Sequence, residues 1–294
     1  MLTILAPAKV NLTLEVLEKR PDGFHEIRSV IQTINLCDSI SLKWAKRLVI
    51  RCENDDWLAK ESLIFRAANL LKKTSGYTAG AFMQLSKKIP LLSGLGGDSS
   101  DAAAILLGLN KLWGLSLAPG ELAQLASQLG SDVPFFLFGG TALIQGRGEI
   151  VSPLPLLSPS WIVILIPPVS REKGKTGKLY AALTKDHYTN GLKTEQMVSL
   201  LTKGREIAPD NLFNAFQSIA GDSFKGLDEY HRKFLKSGAT DVHLAGSGPA
   251  LFTLLKEETR AKRIYRNLKK CGLETFFTQT LCGIKVVNKN WWLK

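Results

Sequence analysis

Over residues 9–16 apolar and polar side chains alternate, with Val10, Leu12, Leu14 and Val16 on one face and Lys9, Asn11, Thr13 and Glu15 on the other. A period of two predicts a half-buried strand whose polar face meets solvent. Pro21-Asp22-Gly23 carries the residues of a tight turn. β-like runs follow at 27–36, 39–44 and 47–52, so the chain opens as a meander of strands. Ser62 is placed to cap a helix with Leu63, Ala67, Leu70 and Leu71 on one side and Gly76 just past its end. A strand at 81–86 runs into a glycine-rich segment, and helices are predicted at 99–113 and, with Pro119 in the first turn, at 119–129.

Residues 141–151 read as a hairpin around Gly146, and the Pro- and Ser-rich stretch 154–160 precedes a buried strand at 161–166. Beyond it come amphipathic helices near 178–183, 194–203, 211–219 and 223–236, strands at 242–245 and 250–255, a basic helix ending near Lys270, and two terminal strands. This mixed order, with no internal repeat, predicts an α+β protein, and its length fits one large domain or two medium ones, 1–155 and 156–294, divided within the 154–160 stretch.

With 45% apolar and 22% charged residues the chain can build a proper core. Its longest apolar stretches, 161–169 and 102–109, fall short of the ~20 residues of a bilayer-spanning helix. Lys9, Asn11, Glu15, Lys19 and Arg20 interrupt the N-terminus too early for a secretory leader, which predicts a cytoplasmic protein without membrane contact. Cys37, Cys52, Cys271 and Cys282 form no C-x-x-C pair and have no His at zinc-finger spacing, so they read as free thiols. His25, His187, His231 and His243 likewise form no metal-binding pair. The net charge of +12 favours an anionic partner: nucleic acid, an acidic membrane or a polyphosphate. The basic run Arg260, Lys262, Arg263, Arg266, Lys269 and Lys270 has only Tyr265 interleaved, and reads as a solvated helix face rather than a nucleic-acid site.

Three places could carry chemistry. PLLSGLGGDSSDAA (residues 90–103) lies between a strand and a helix, where glycines permit close approach and a helix start offers free N–H groups to an anion. It is neither a Walker A loop nor a dinucleotide fingerprint, and misses a nucleophile elbow by Asp101. A phosphate loop and a plain connector capped by Ser99 or Ser100 both fit it. AGSGPALF (residues 245–252) is a second glycine turn at a strand end, able to supply amides to the same ligand. The third place is Lys9 and Asn11 with Asp132 of LGSDVPFF (residues 129–136), a carboxylate between apolar neighbours that raise its pKa and a cation that lowers it. A solvent-facing Lys9 and an Asp132 that caps a turn or helix fit the spacing as well. His25, after the turn, fits either a planar ligand or a turn-stabilising role.

PAKVNLTL (residues 7–14), PLLSGLGGDSSDAA and AGSGPALF resemble the three ordered motifs of the GHMP kinases, and the match spans the chain. PAKVNLTLEVLEKRPDGFHEI with LGSDVPFF is similar to the branch whose acceptor is a cytidine diphosphate-linked polyol. The resemblance implies a two-domain α+β GHMP kinase fold with the active site in the interdomain cleft. It also implies ATP-dependent phosphorylation of the acceptor's tertiary 2-hydroxyl, in the non-mevalonate route to isoprenoid precursors. A homoserine- or mevalonate-type alcohol is the alternative acceptor.

By position in the matched motifs, Asp132 is the general base, Lys9 its cationic partner, and Asn11 an acceptor contact. ATP, with Mg²⁺, is held by Pro90, Leu91, Leu92, Ser93, Gly94, Leu95, Gly96, Gly97, Asp98, Ser99 and Ser100, with Lys87 against the adenine. His25 reads the cytosine edge, Phe24 and Tyr180 stack on its faces, and Thr176 meets the diphosphate. Gly246, Ser247 and Gly248 line the cleft. Phe24 stands where the family often has Tyr, and Asp98 adds a negative charge beside the triphosphate, either turned outward or helping to hold Mg²⁺. The partners implied are small molecules, not nucleic acid or membrane, for a monomer or homodimer.

Overall fold

The computed structural model describes residues 1–53, 62–282 and 285–288. In chain order the first half contains β1 (Leu2–Lys19), β2 (His25–Ala45), β3 (Val49–Cys52), α1 (Leu63–Ser75), β4 (Gly80–Ser86), α2 (Gly97–Trp113), α3 (Pro119–Leu129), α4 (Val133–Phe138), β5 (Thr141–Gln145) and β6 (Ile150–Pro153). The second half contains β7 (Trp161–Ile166), α5 (Lys175–Ala182), α6 (Leu192–Thr202), β8 (Phe213–Asn214), α7 (Ala220–Ser223), α8 (Leu227–Lys236), β9 (His243–Leu244), β10 (Leu251–Leu255), α9 (Glu258–Lys270), β11 (Glu274–Gln279) and β12 (Lys285–Asn288).

Among the described residues the strands form two sheets. In the first, the path is β12-β1-β2-β4-β3, with β5 on β2, β6 on β5 and β8 on β1. The second is antiparallel, in the order β11-β7-β10-β9. Residues 154–160 carry the chain from one sheet to the other with no regular structure. From beyond the expected division at 155/156, β8 and β12 return to pair with β1.

The runs expected at 27–36 and 39–44 are one strand, because β2 stays paired with β1 while its second partner changes from β5 to β4. Register shifts at Pro7/Ala8, Asn11/Thr13 and Val16/Glu18 bend the β1–β2 ribbon. α2 is buried over Ala102–Leu106 and again at Leu109, as a helix packed inside a fold must be. α9 buries Ala261, Ile264 and Leu268 and leaves Lys262, Arg263, Arg266, Lys269 and Lys270 exposed, a solvated basic face. Among the described residues no helix is long and apolar enough to cross a membrane.

Two expected helices differ. Residues 211–219 form β8 between two 3₁₀ turns, because the Asn214 side chain accepts from the Phe216 amide (3.0 Å) and donates to the carbonyls of Leu244 and Gly246 (2.8 Å each). Those bonds hold Asn214 in extended backbone at the strand end. The helix expected at 223–236 starts only at Leu227, after Gly226 at φ 89°.

Candidate active site

The polar face of β1 is buried, not solvated: Lys9 is 4% exposed and Asn11, Thr13 and Glu15 are buried with it. The Lys9 amide donates to the Leu95 carbonyl (2.9 Å), which lays the glycine-rich loop over the strand. Further along, Glu15 accepts from the Thr194 amide (2.7 Å) and the Thr194 hydroxyl donates to that of Thr13 (3.0 Å), so α6 covers the rest. Lys9 Nζ donates to Asn11 Oδ1 (2.8 Å) and lies 3.6 Å from Asp132 Oδ2. Asn11 in turn donates to Ser29 Oγ (2.8 Å), and Ser29 to the Thr13 carbonyl (2.5 Å). Asp132 immediately precedes α4 but makes no side-chain cap bond, and its side chain is 39% exposed. The structure thus joins positions 9 and 132, which no local spacing could do.

The two glycine turns are interlocked. Gly94 sits at φ +89°, and a Cβ there would lie 2.2 Å from the Ala245 carbonyl oxygen. Gly246, at φ +54°, would place a Cβ 2.8 Å from both the Gly94 oxygen and Lys9 Nζ. The Ala250 amide donates to the Ser93 carbonyl (3.1 Å). Side chains at 94 and 246 would pry the loops apart, so the sequence places glycine where the two backbones and the Lys9 ammonium meet. The first loop then opens α2 at Gly97, whose first-turn amides have no acceptor within the helix.

These elements enclose a cavity of about 690 Å³ lined by Lys9, Asn11, Phe24, His25, Lys87, Asp132, Thr176, Tyr180, Gly246 and Ser247. Pro90, Leu91, Leu92, Ser93, Gly94, Gly96, Gly97, Asp98 and Ser99 line it too, whereas Leu95 and Ser100 are fully buried behind it and Gly248 lies outside the lining. Lys87, expected against the adenine, has its ammonium in a cage of carboxylates, 2.7 Å from Asp38, 2.8 Å from Asp101 and 3.5 Å from Asp98. Asp38 also accepts from the amides of Lys88 (2.5 Å) and Ile89 (2.8 Å), tying β2 to the loop's approach. Burial opposes the Lys87 charge, but the Asp101 and Asp38 carboxylates outweigh it and hold the ammonium above its ordinary pKa. Burial pushes the Asp101 carboxyl up to about 8, with Lys87 pulling against the shift and Asp38 adding to it. Asp98 faces this cage at the start of α2.

The far end of the cavity is aromatic. His25 and Tyr180 stack at 5.0 Å with an interplanar angle of 21°, Tyr188 meets His25 edge-on at 6.0 Å, and Phe216 backs Tyr180 at 4.9 Å. Phe24 is 48% exposed, with the Arg147 guanidinium 4.9 Å above its ring. Burial, and then the Lys19 charge, hold His25 below the ordinary histidine pKa, so its ring is neutral near pH 7. Burial, helped by the Asp132 charge, keeps the Tyr180 phenol protonated. Thr176 bonds Ser247 Oγ (2.8 Å).

Sequence reasoning missed Lys175, Asp38, Asp101, Asn214, Tyr188 and Arg147. Lys175 was within reach, since it adjoins Thr176 in a basic run, and its ammonium lies in the cavity wall, donating to Ser247 O (3.1 Å), Ser247 Oγ (3.0 Å) and the Gly248 carbonyl. Burial, then the nearby Lys9 charge, bring Lys175 down to about 8. Asp38 and Asn214 carry no such signal, because each acts through contacts with distant segments.

Residues 62–140 match the GHMP kinases N terminal domain and residues 197–273 the GHMP kinases C terminal domain. A 4-diphosphocytidyl-2-C-methyl-D-erythritol kinase of Dehalococcoides mccartyi (strain BAV1) is 46% identical over 281 residues, 96% of this chain and 99% of the relative. The enzyme of that name from Geobacillus thermodenitrificans is 38% identical over 91% of this chain and 93% of its own. A crystal structure of 4-(cytidine 5'-diphospho)-2C-methyl-D-erythritol kinase superposes with a TM-score of 0.80 at 32% identity, covering 95% of this chain and 98% of that one. Homoserine kinase from Cytophaga hutchinsonii shares the fold, at TM-score 0.75 and 19% identity over 97% of each chain. The chain belongs to the GHMP kinases, and within them to the 4-diphosphocytidyl-2-C-methyl-D-erythritol kinase family.

Proposed function

We propose that this kinase transfers the γ-phosphoryl group of ATP to the 2-hydroxyl of 4-diphosphocytidyl-2-C-methyl-D-erythritol. The observation that carries the residue roles is the Lys9–Asp132 pair at 3.6 Å, set between the glycine loops and the His25/Tyr180 end of one cavity. Asp132, open to the cavity, accepts the hydroxyl proton as the oxygen bonds to the γ-phosphorus and the bond to ADP breaks. Lys9, fixed by Asn11, keeps the Asp132 carboxylate oriented and offsets charge on the phosphoryl group in flight. Amides of residues 94–99 and the α2 N-terminus take the ATP phosphates. Neutral His25 can both accept from and donate to the cytosine edge, with Tyr180 and Phe24 as ring surfaces.

The donors at the α2 start fit a magnesium ion that arrives with the triphosphate. Asp98, about half exposed, and the Ser99 hydroxyl are hard oxygen ligands beside the loop, and Mg²⁺ characteristically takes one or two carboxylates with phosphates and water. When bound it neutralises phosphate charge.

The test is ADP release from ATP in magnesium buffer, with and without 4-diphosphocytidyl-2-C-methyl-D-erythritol. Acceptor-dependent turnover is expected. Release that is unchanged by this acceptor but stimulated by homoserine or mevalonate would move the substrate to another branch.

A further inference from the structure

Lys175 opens α5, and its ammonium is enclosed by the glycine turn at 247–248 and lies 5.8 Å above the Phe224 ring. All its hydrogen-bond acceptors among the described residues are neutral: two carbonyls and one hydroxyl. No carboxylate lies within ion-pair distance among those residues, in contrast to Lys9 and Lys87, which both have one. A buried cation without a counter-charge is costly, and Lys9, the next cation in the cavity, adds repulsion to that cost. An anion in the cavity that both ammonium groups line would offset both penalties.

The position of α5 says what kind of anion. Thr176, the next residue, turns its hydroxyl to the same Ser247 Oγ that Lys175 contacts. Five residues on, Tyr180 stacks on His25. Along the helix axis those five residues span ~7.5 Å, which leaves room for a sugar between a base at the ring and an anion at the ammonium. On the opposite side, the turn that holds Lys175 is the one locked to Gly94 in the loop assigned to ATP. Lys175 therefore stands between the aromatic end of the cavity and the glycine loop read as the ATP site.

We propose that Lys175 is a phosphate-binding residue of this site, supplying positive charge in addition to that of Lys9, which is shared with Asp132. The assignment rests on the kinase reading above and refines it. Two sources could bring the phosphate, the acceptor's diphosphate or the terminal phosphate of ATP, and they are separable.

Dissociation constants for CDP, cytidine, AMP-PNP and ADP are measured by calorimetry on the wild type, Lys175→Gln and Lys175→Arg. Gln keeps a donor for the Ser247 and Gly248 carbonyls and removes the charge, so the turn stays held. Loss of a charged hydrogen bond predicts that Lys175→Gln weakens CDP about 10- to 100-fold while cytidine is unchanged, and that Arg restores most of the difference. A loss that falls on AMP-PNP more than on ADP identifies the ATP phosphate as the source and supports the proposal equally. The proposal is overturned if Lys175→Gln binds all four ligands as the wild type does. It is overturned too if cytidine weakens as much as CDP and ADP as much as AMP-PNP, which marks a lysine that only shapes the turn. A wild type that binds neither CDP nor cytidine removes the cytidyl acceptor, and the AMP-PNP and ADP pair then still decides the role of Lys175.

Discussion

Asp132→Asn separates chemistry from stability because the two effects have very different sizes here. At 3.6 Å from Lys9 the gross Coulomb attraction is roughly 5 kcal/mol at an effective dielectric constant of 20. Asp132 is 39% exposed, however, and its side chain makes no cap bond to α4, so the net worth of the pair falls toward ~1 kcal/mol or less. In a chain of this size that moves Tm by about 2–4 °C at most. The amide cannot accept the hydroxyl proton, and loss of a positioned base lowers the rate ~10²- to 10⁴-fold. That is ~3 to 5 kcal/mol on the barrier, several times the stability change. The assay is ADP release at saturating ATP and acceptor, beside thermal unfolding of the same preparations. The expected result is a collapse of kcat with a nearly unshifted transition. A variant that keeps most of its kcat, or whose lost activity tracks a large fall in Tm, refutes Asp132 as the base. Lys9→Met gives the contrast: it strands buried Asn11 Oδ1, so stability falls by ~1–3 kcal/mol along with activity.

Three further outcomes follow from geometry. Gly94→Ala forces a Cβ to 2.2 Å from the Ala245 oxygen at φ +89°, with backbone strain of ~1–3 kcal/mol, and raises KM for ATP while lowering Tm; an unchanged KM argues against the interlocked loops as the ATP site. Lys87→Met leaves Asp38 and Asp101 buried together without their cation and costs ~3–5 kcal/mol in thermal or denaturant unfolding, whereas Asp101→Asn, at a carboxyl already pushed toward its neutral form, costs less. His25 is held below its ordinary pKa, so the unfolded chain protonates first as pH falls below 6.5 and stability declines there; His25→Gln removes that share of the acid limb, read as Tm against pH from 7 to 5.

The sequence carried its motifs plainly and their meeting points poorly. Lys9 and Asn11 lie on an alternating strand, a pattern that says which residues share a face but not whether that face is wet. The face proved buried because loop 90–96 and α6 fold over it from far along the chain. The run with Phe213 and Phe216 suggested a helix from its apolar spacing, yet Asn214 has partners at residues 244 and 246 that override local preference. Lys87 was expected against the adenine, from the resemblance alone, and its place at the centre of an ion cluster was not legible, since Asp38 lies on β2 and is brought to it by strand pairing. Tyr180 and His25 were named from motif resemblance rather than from periodicity, and they meet as stacked rings because α5 packs against the start of β2.

The locked glycine turns have a bearing on how such an enzyme can diverge. Gly94 and Gly246 each face the other's turn, Gly246 also faces the Lys9 ammonium, and the Lys9 amide bonds the Leu95 carbonyl, so a side chain added at either glycine disturbs its neighbours. Phe24, His25 and Tyr180 belong to a hairpin turn and a short helix and meet one another or Arg147 rather than the glycine turns, whereas Thr176 bonds Ser247 within them. If the roles proposed above hold, transfer chemistry sits on the interlocked turns and most of the acceptor contacts sit off them. Substitutions at Phe24 or Tyr180 are then expected to change the acceptor's KM and leave ATP binding as it was.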